Sequence, residues 1–396
     1  MVKDNKKVYI VNFWHGINYG ATLTAYALFK LVSNLNYDAY LLDNRLPDNI
    51  IRDIYFYPRK FIKKYFKYQK FKKEEDAILI SGSDQVFNPN CASDFHDDNM
   101  LNFALLNNKK ISVAASFGVD KEKFLAQNSE AQIENMKNSL KSFDYISVRE
   151  QSGVDICSDV FGVEAKCIPD PVIIFDNWEE LIKNSDEDFR TDFEKNKIVS
   201  YIFGKTDEHL KVYNYLSDKY KTGVLDLEDY KTSPENWLYA IKNCDLFVTN
   251  SFHGLCFAIL FKKNFIVLIK ENESPARFDA LFNLLGIKNQ CVFLKQIYEK
   301  DCVFEVNYEE TERKIKEARE RGYEFLLKSL KEEPPLSEER QSAKEIVREN
   351  YLKKLKEKRN LRSKFKKVYH YFRLLMLNFI LPEIVTPMFN SKKKGK

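Results

Sequence analysis

Val8-Tyr9-Ile10-Val11-Asn12-Phe13-Trp14-His15-Gly16-Ile17-Asn18-Tyr19-Gly20 is the stretch on which the fold turns. Its first four residues are a short apolar run, bounded by charge before it and by Trp14-His15-Gly16 after it, which is the pattern of a buried strand. A small, polar, glycine-containing loop follows at residues 16–20. Behind it Leu23, Ala27, Leu28, Leu31 and Leu35 recur at helical spacing, and Ala39-Tyr40-Leu41-Leu42-Asp43 reads as a second strand. Strand, glycine loop, helix and strand in that order open a doubly wound α/β domain.

The same alternation continues outward. Residues 47–75 are basic and aromatic and predict helices near the surface. Ala77-Ile78-Leu79-Ile80 is a strand ending in Ser81-Gly82-Ser83-Asp84-Gln85, and further strands fall at residues 110–118, 145–150 and 165–171. Residues 176–197 read as a connector. Residues 198–203 open a second series, with helical spacing at Leu210, Tyr213, Leu216 and Tyr220, a strand at 223–227 and a helix at 234–243. Residues 246–249 then form a strand running into Ser251-Phe252-His253-Gly254, followed by a helix at 255–261 and a strand at 265–269. Two such halves predict an α/β fold of two Rossmann-like domains, similar to the GT-B architecture. The expected boundaries are residues 1–190 and 191–306, with a helical, charged, basic extension at 307–396. Ligands in such sheets bind outside the carboxyl ends of the strands, so the polar strand ends mark the rim of one cleft.

Composition narrows the class. The 396 residues are 44% hydrophobic and 14% aromatic, enough for a sizeable core. A net charge of +5 from 63 basic and 58 acidic residues gives no reason to expect a nucleic-acid partner. Seven scattered cysteines (Cys91, Cys157, Cys167, Cys244, Cys256, Cys291, Cys302) contain no Cys-x-x-Cys pair, so local zinc pairs have no support and a reducing compartment is expected. Residues 1–7 are charged and lead into too short an apolar run for a secretory signal or a membrane span. The expectation is a cytoplasmic protein.

Several residues could carry chemistry. Arg149 ends a strand beside Glu150; it is either a surface ion-pair partner or a planar fork for a carboxylate or phosphate. His253 lies between a strand and a helix that Ser251 or Asn250 can cap, with Gly254 allowing close approach. It either satisfies a turn or acts as acid and base near neutral pH, beside a helix start that attracts anions. The loop at 16–20 matches neither Gly-x-Gly-x-x-Gly nor a P-loop. Asp84 and Gln85 are either capping groups or ligands for a substrate hydroxyl. Lys270 and Arg277 are either surface charge or anion contacts. No Gly-x-Ser-x-Gly elbow occurs, and no metal site is apparent.

Taken in order, several of these segments resemble the polysaccharide pyruvyl transferase family. They are Asn18-Tyr19-Gly20-Ala21-Thr22-Leu23-Thr24-Ala25-Tyr26-Ala27-Leu28, Gly82-Ser83-Asp84-Gln85-Val86-Phe87-Asn88-Pro89, Ala114-Ala115-Ser116-Phe117-Gly118, Ile146-Ser147-Val148-Arg149-Glu150, Asp170-Pro171, Thr249-Asn250-Ser251-Phe252-His253-Gly254 and Arg277. Four positions depart from the family's usual residues: Phe87 for tryptophan, Thr24 for glutamine, Asn250 for aspartate and Val172 for threonine. The resemblance implies phosphoenolpyruvate as donor, and a sugar of a surface glycan or its lipid-linked precursor as acceptor. The product it implies is a pyruvate ketal bridging two hydroxyls, formed without a cofactor. On that reading His253 and Arg149 are catalytic, and Asn18, Gly20, Asp84, Gln85, Ser251, Lys270 and Arg277 contact substrate. Two other functions fit the same architecture: a nucleotide-sugar-dependent glycosyltransferase, and a non-catalytic glycan-binding or scaffolding member.

The end of the chain has its own character. Residues 351–373 carry ten Lys or Arg against the single acid Glu357, with aromatic and apolar residues between them, and residues 374–381 are apolar up to Pro382. The apolar stretch is too short to span a bilayer. A basic helix with apolar interleaving suits an anionic membrane surface, reached through residues 351–381. A helix packing back on the core, or one that binds a partner, is the other reading.

Overall fold

Strand β1 (Lys7–Val11) is an interior strand of a seven-stranded sheet in the computed structural model. The structure describes residues 6–14, 18–43, 56–72, 76–91, 96–193, 197–270, 275–288, 291–298, 306–335 and 337–375. The remaining strands of this sheet are β2 (Asp38–Leu42), β3 (Tyr68–Gln69), β4 (Ala77–Asp84), β5 (Lys109–Ala115), β6 (Ser147–Val148) and β7 (Lys166–Cys167), in the order β3-β2-β1-β4-β5-β6-β7. A second, five-stranded sheet contains β8 (Ile198–Tyr201), β9 (Val224–Asp226), β10 (Leu246–Thr249), β11 (Asn264–Ile269) and β12 (Cys291–Phe293), in the order β12-β11-β10-β8-β9. Every pairing between these strands is parallel. Parallel strands are covered on both faces, which is why β1, β4, β10 and β11 carry unbroken apolar runs rather than alternating ones. Strand order reverses at β1/β4 in the first sheet and at β8/β10 in the second. Those two reversals are where such sheets open a crevice.

The helices are α1 (Tyr19–Asn34), α2 (Phe56–Tyr65), α3 (His96–Asn99), α4 (Lys121–Gln127), α5 (Glu130–Lys141), α6 (Gln151–Asp159), α7 (Pro171–Ile174), α8 (Glu179–Ile182), α9 (Glu187–Phe193), α10 (Asp207–Tyr220), α11 (Pro234–Asn243), α12 (Phe252–Leu260), α13 (Ala276–Leu285), α14 (Tyr308–Lys331) and α15 (Glu338–Leu375). Helix α1 is buried nearly all round because it lies between the two sheets, against α7, α11 and α12. Tyr19 in its first turn donates its hydroxyl to the Thr232 carbonyl at 2.7 Å and accepts the Thr232 N–H at 3.0 Å. Its ring stacks on Trp237. One hydrophobic cluster therefore runs from Val8 and Leu23 of the first half to Phe257 and Phe265 of the second.

Several expectations change. The segment expected as surface helices contains α2, whose Phe61 and Ile62 are buried, with Phe61 and the following Phe66 packed round Tyr26. Apolar residues there serve the core because α2 covers one end of α1. Strand β4 runs on to Asp84, past the end of its apolar run, because Ser81, Gly82 and Asp84 still pair with β5. The connector at residues 176–197 holds two short helices, α8 and α9, both packed on α11. Helix α12 starts at Phe252, so His253 lies within its first turn rather than before it.

Helix α14 packs on α7 and α13, and α15 lies along α5. The order of contacts along α15 gives its direction. Lys344 and Arg340 reach Asp144 at the amino edge of the first sheet, with Lys344 Nζ 2.9 Å and Arg340 Nε 3.3 Å from the carboxylate. Arg348 donates to the Phe103 carbonyl at 2.6 Å, and Lys354 pairs with Asp97 on α3 at 3.0 Å. Ser81 of β4 donates to the Asn99 carbonyl at the end of α3, so α15 climbs toward the carboxyl edge of the sheet. Packing back on the core thus describes residues 338–354. The apolar run at 376–381 lies outside the described residues. No helix among the described residues is long and apolar enough to cross a membrane.

Candidate active site

The carboxyl ends of β4, β6 and β7 converge on one buried carboxylate. Asp170 follows β7, caps α7 through Val172 N–H (3.0 Å), and is 2% exposed. Its Oδ1 also accepts the Thr24 hydroxyl from α1 at 2.7 Å, while Oδ2 receives the Ser83 hydroxyl at 2.7 Å and Arg149 Nη1 at 3.3 Å. Ser83 reaches this point because Gly82 lets the chain pass beside β5. At φ 130°, a side chain there would meet the Val113 carbonyl oxygen at 2.2 Å.

Arg149 follows β6 and is buried. Besides Asp170, its guanidinium meets Asp84 (Nη1, 3.7 Å) and Glu150 (Nε, 3.4 Å), and Glu150 accepts a hydrogen bond from the Ser116 hydroxyl at 2.6 Å. Burial opposes the arginine's charge, but Glu150, Asp84 and Asp170 outweigh it and hold the group above its ordinary range. Asp170 shows the reverse balance. Burial alone would raise it, yet His253, Arg149 and the Val172 N–H hold it far below the usual carboxylate range. The centre is therefore a fixed ionic network, with three carboxylates around one guanidinium.

The second half contributes the first turn of α12. Ser251 caps that helix by accepting the Gly254 N–H at 3.2 Å. The Phe252 ring lies under the Arg149 guanidinium, 4.1 Å from its centroid. His253 is 4% exposed, and its Nε2 stands 3.5 Å from Asp170 Oδ2. That distance is longer than a formed hydrogen bond, and this buried nitrogen has no hydrogen-bond partner among the described residues. The opposite face of the imidazole rests on Gly20 in the first turn of α1. A Cβ added to Gly20 would sit 2.5 Å from His253 Cβ and 2.8 Å from Nδ1, so only glycine admits the ring there. Cys256, one turn on, is buried beside this network; burial and then Asp170 push its thiol well up, so it is held as a neutral thiol.

Among the residues expected to serve a site, the structure gathers His253, Arg149, Asp84, Gly20 and Ser251. Asn18 caps α1 by accepting the Ala21 N–H at 3.3 Å. Gln85 turns aside, accepting from Asn88 at 3.0 Å and packing on Gly118. Lys270 Nζ donates to the Gly204 carbonyl at 3.1 Å, and Arg277 Nη2 to the Asn250 carbonyl at 2.8 Å, so both stand at the carboxyl edge of the second sheet. Asn250 pairs with the backbone of Phe203 in both directions (2.8 and 2.9 Å), leaving the cap to Ser251. Sequence reasoning did not count Asp170 among the site residues, although the Asp170-Pro171 pair is an N-cap followed by a helix-starting proline. Thr24, one of the departures from the family's usual residues, turns out to bond Asp170 directly. Gly16 and Ile17 of the first loop lie outside the described residues. Among the described residues no group of three or more His, Cys, Asp or Glu is placed to hold a metal ion.

Two parallel, helix-flanked sheets meeting at a shared rim define a two-domain α/β protein of the GT-B-like class. The S. aureus MnaA–UDP co-structure has the same fold, at TM-score 0.50 and 12% identity, covering 83% of this chain and 99% of that one. Also similar are a putative UDP-N-acetylglucosamine 2-epimerase from Listeria monocytogenes (TM-score 0.48, 8% identity, 83% and 96% covered) and the UDP-GlcNAc 2-epimerase from Methanocaldococcus jannaschii (TM-score 0.42, 11% identity, 88% and 99% covered). A search of curated protein sequences finds no match. The profile of the polysaccharide pyruvyl transferases matches residues 18–270, which span the whole of the network just described. The chain belongs to the polysaccharide pyruvyl transferase family.

Proposed function

We propose that this transferase moves the enolpyruvyl carbon skeleton of phosphoenolpyruvate onto a sugar of a surface polysaccharide or its lipid-linked precursor, closing a pyruvate ketal. The observation that carries this reading is the meeting of Arg149 from the first sheet and His253 from the second at Asp170. Protonation of the donor's methylene carbon generates an oxocarbenium-like centre at C2. One sugar hydroxyl adds there and gives up its proton, inorganic phosphate leaves with the C–O bond electrons, and a second hydroxyl closes the ring and loses its proton. The sequence needs a group that both gives and takes a proton, and His253 fills that role. Arg149 holds the anion. Its single charge is already faced by three carboxylates, so a trianionic donor needs more cations. Lys270 and Arg277 supply them from the edge of the second sheet.

Phosphate release from phosphoenolpyruvate with a glycan acceptor tests this directly, against nucleotide release from a sugar nucleotide as the glycosyltransferase alternative. His253→Ala is expected to lose at least ~10²-fold in rate, as removal of an acid–base group does. Near wild-type turnover in that variant would overturn the assignment. The lipid-linked acceptor also gives the basic end of α15 a purpose: residues beyond Lys354 carry the enzyme to an anionic membrane surface. The course of α15 supports this reading, since the helix climbs toward the carboxyl edge of the first sheet, where Arg149 and Asp170 also stand.

A further inference from the structure

Asp170 cannot touch a substrate, since it is enclosed, yet four donors are spent on holding it still. Thr24 and the Val172 N–H fix Oδ1, and Ser83 and Arg149 fix Oδ2. They come from α1, α7 and the ends of β4 and β6, so the carboxylate is anchored by four separate elements of the first half. It approaches the second half at His253 Nε2, at 3.5 Å. An ionised carboxylate only accepts hydrogen bonds. A bare imidazole nitrogen facing it would set lone pair against lone pair, so the nitrogen on that side carries the hydrogen. The ring's other nitrogen, Nδ1, faces Gly20 in the first turn of α1.

We propose that Asp170 is a positioning residue that fixes His253 as the Nε2–H tautomer, leaving Nδ1 as the atom that takes and returns the proton. The inference rests on the reading of His253 as the acid–base group and adds to it the working atom and its orienting partner. It also gives Gly20 a purpose. A side chain there would close the approach to Nδ1, whereas glycine leaves the first turn of a helix beside the reacting edge. Thr24 and Ser83 then serve the histidine through Asp170.

The test is nitrogen-15 NMR of the full-length protein labelled in histidine, with the His253 signal assigned by its loss in His253→Gln. The protein has five histidines, so the assignment is tractable. In the neutral ring the wild type is expected to show a protonated Nε2 and a bare Nδ1. Asp170→Asn is expected to lose that single tautomer and to lower kcat by ~10²-fold, with KM for phosphoenolpyruvate changed less than about threefold; Asp170→Glu restores part of the rate. A wild-type ring protonated on Nδ1, or an Asp170→Asn protein that keeps the wild-type tautomer, overturns the proposal. Should Asp170→Asn fail to fold, the wild-type spectrum still decides the tautomer, and Thr24→Val loosens the carboxylate without removing its charge. The spectrum needs no turnover. A wild type with the expected tautomer that releases no phosphate from phosphoenolpyruvate would therefore refute the pyruvyl-transfer reading and leave the tautomer assignment standing.

Discussion

The guanidinium of Arg149 lies over the ring of Phe252, 4.1 Å from its centroid, so a charge at the end of a strand in the first sheet is seated on the first turn of a helix behind the second. The contact joins the two halves at the residue next to His253. Phe252→Leu keeps most of the apolar volume and loses the π-face, which should cost about 0.5–1 kcal/mol. Phe252→Ala also opens a cavity and should cost about 3 kcal/mol. Urea unfolding of both variants checks the order; an unchanged stability in Phe252→Leu would show that packing alone accounts for the contact.

Gly20→Ala isolates the fit of His253. The added Cβ would lie 2.5 Å from His253 Cβ, and the ring must move to accept it. In a helix the change from glycine to alanine otherwise favours folding by up to about 1 kcal/mol. Thermal unfolding should thus show a fold that survives, while turnover falls by ~10²-fold, the scale of a displacement of about 1 Å at a reacting group. Full activity would mean that the ring's present position is not the working one.

The halves of this protein were legible in the sequence because parallel strands buried on both faces leave unbroken apolar runs, and β1, β4, β10 and β11 were placed from those runs to within a few residues. The polar end of β4 was not, since pairing with β5 holds Ser81 and Gly82 in the sheet without any apolar signal. Strand β12 and helix α13 were missed, being a three-residue strand and a helix whose sequence follows the polar, charged residues 270–274. Arg149 and His253 stood out as residue types whose chemistry is visible by itself. Asp170 did not, because an aspartate before a proline reads first as a helix cap. Its meaning comes from Thr24, Ser83 and Arg149, which lie far from it in sequence and meet it only in the folded chain.

Lys110 gives the stability a pH dependence. It is fully buried on β5, with its ammonium over the Phe143 ring and hydrogen-bonded to Ser142. Burial, then Lys344, push its pKa down to about 7, against the pull of Asp144. An unfolded lysine keeps its proton to ~10.4, so between those values the unfolded chain binds more protons and stability rises with pH. Below about 7 the folded state bears the whole cost of the buried charge. Lys110→Met should therefore stabilise the protein by on the order of 3 kcal/mol at pH 6 and progressively less toward pH 10. Urea midpoints across that range check it, and a difference that stays constant with pH would show that the charge is not the cause.

The basic end of α15 can be separated from the part that the fold needs. Ala343 and Val347 are buried against the first half, and Lys344 and Arg340 share Asp144, so deletion from residue 336 onward would strip the core as well as any membrane contact. Truncation after Lys354 keeps all of these contacts, including the pair with Asp97. It removes eight of the ten basic residues between 351 and 373, each worth ~1 kcal/mol at an anionic surface. Sedimentation with vesicles of anionic lipid should find the full chain bound and the truncated chain free, with binding of the full chain lost as salt is raised. The truncated chain should keep its thermal stability and its rate on a water-soluble acceptor, because nothing in the Asp170 network is touched. Equal binding of the two proteins to the vesicles would remove the membrane from the proposal and leave this segment to a protein partner.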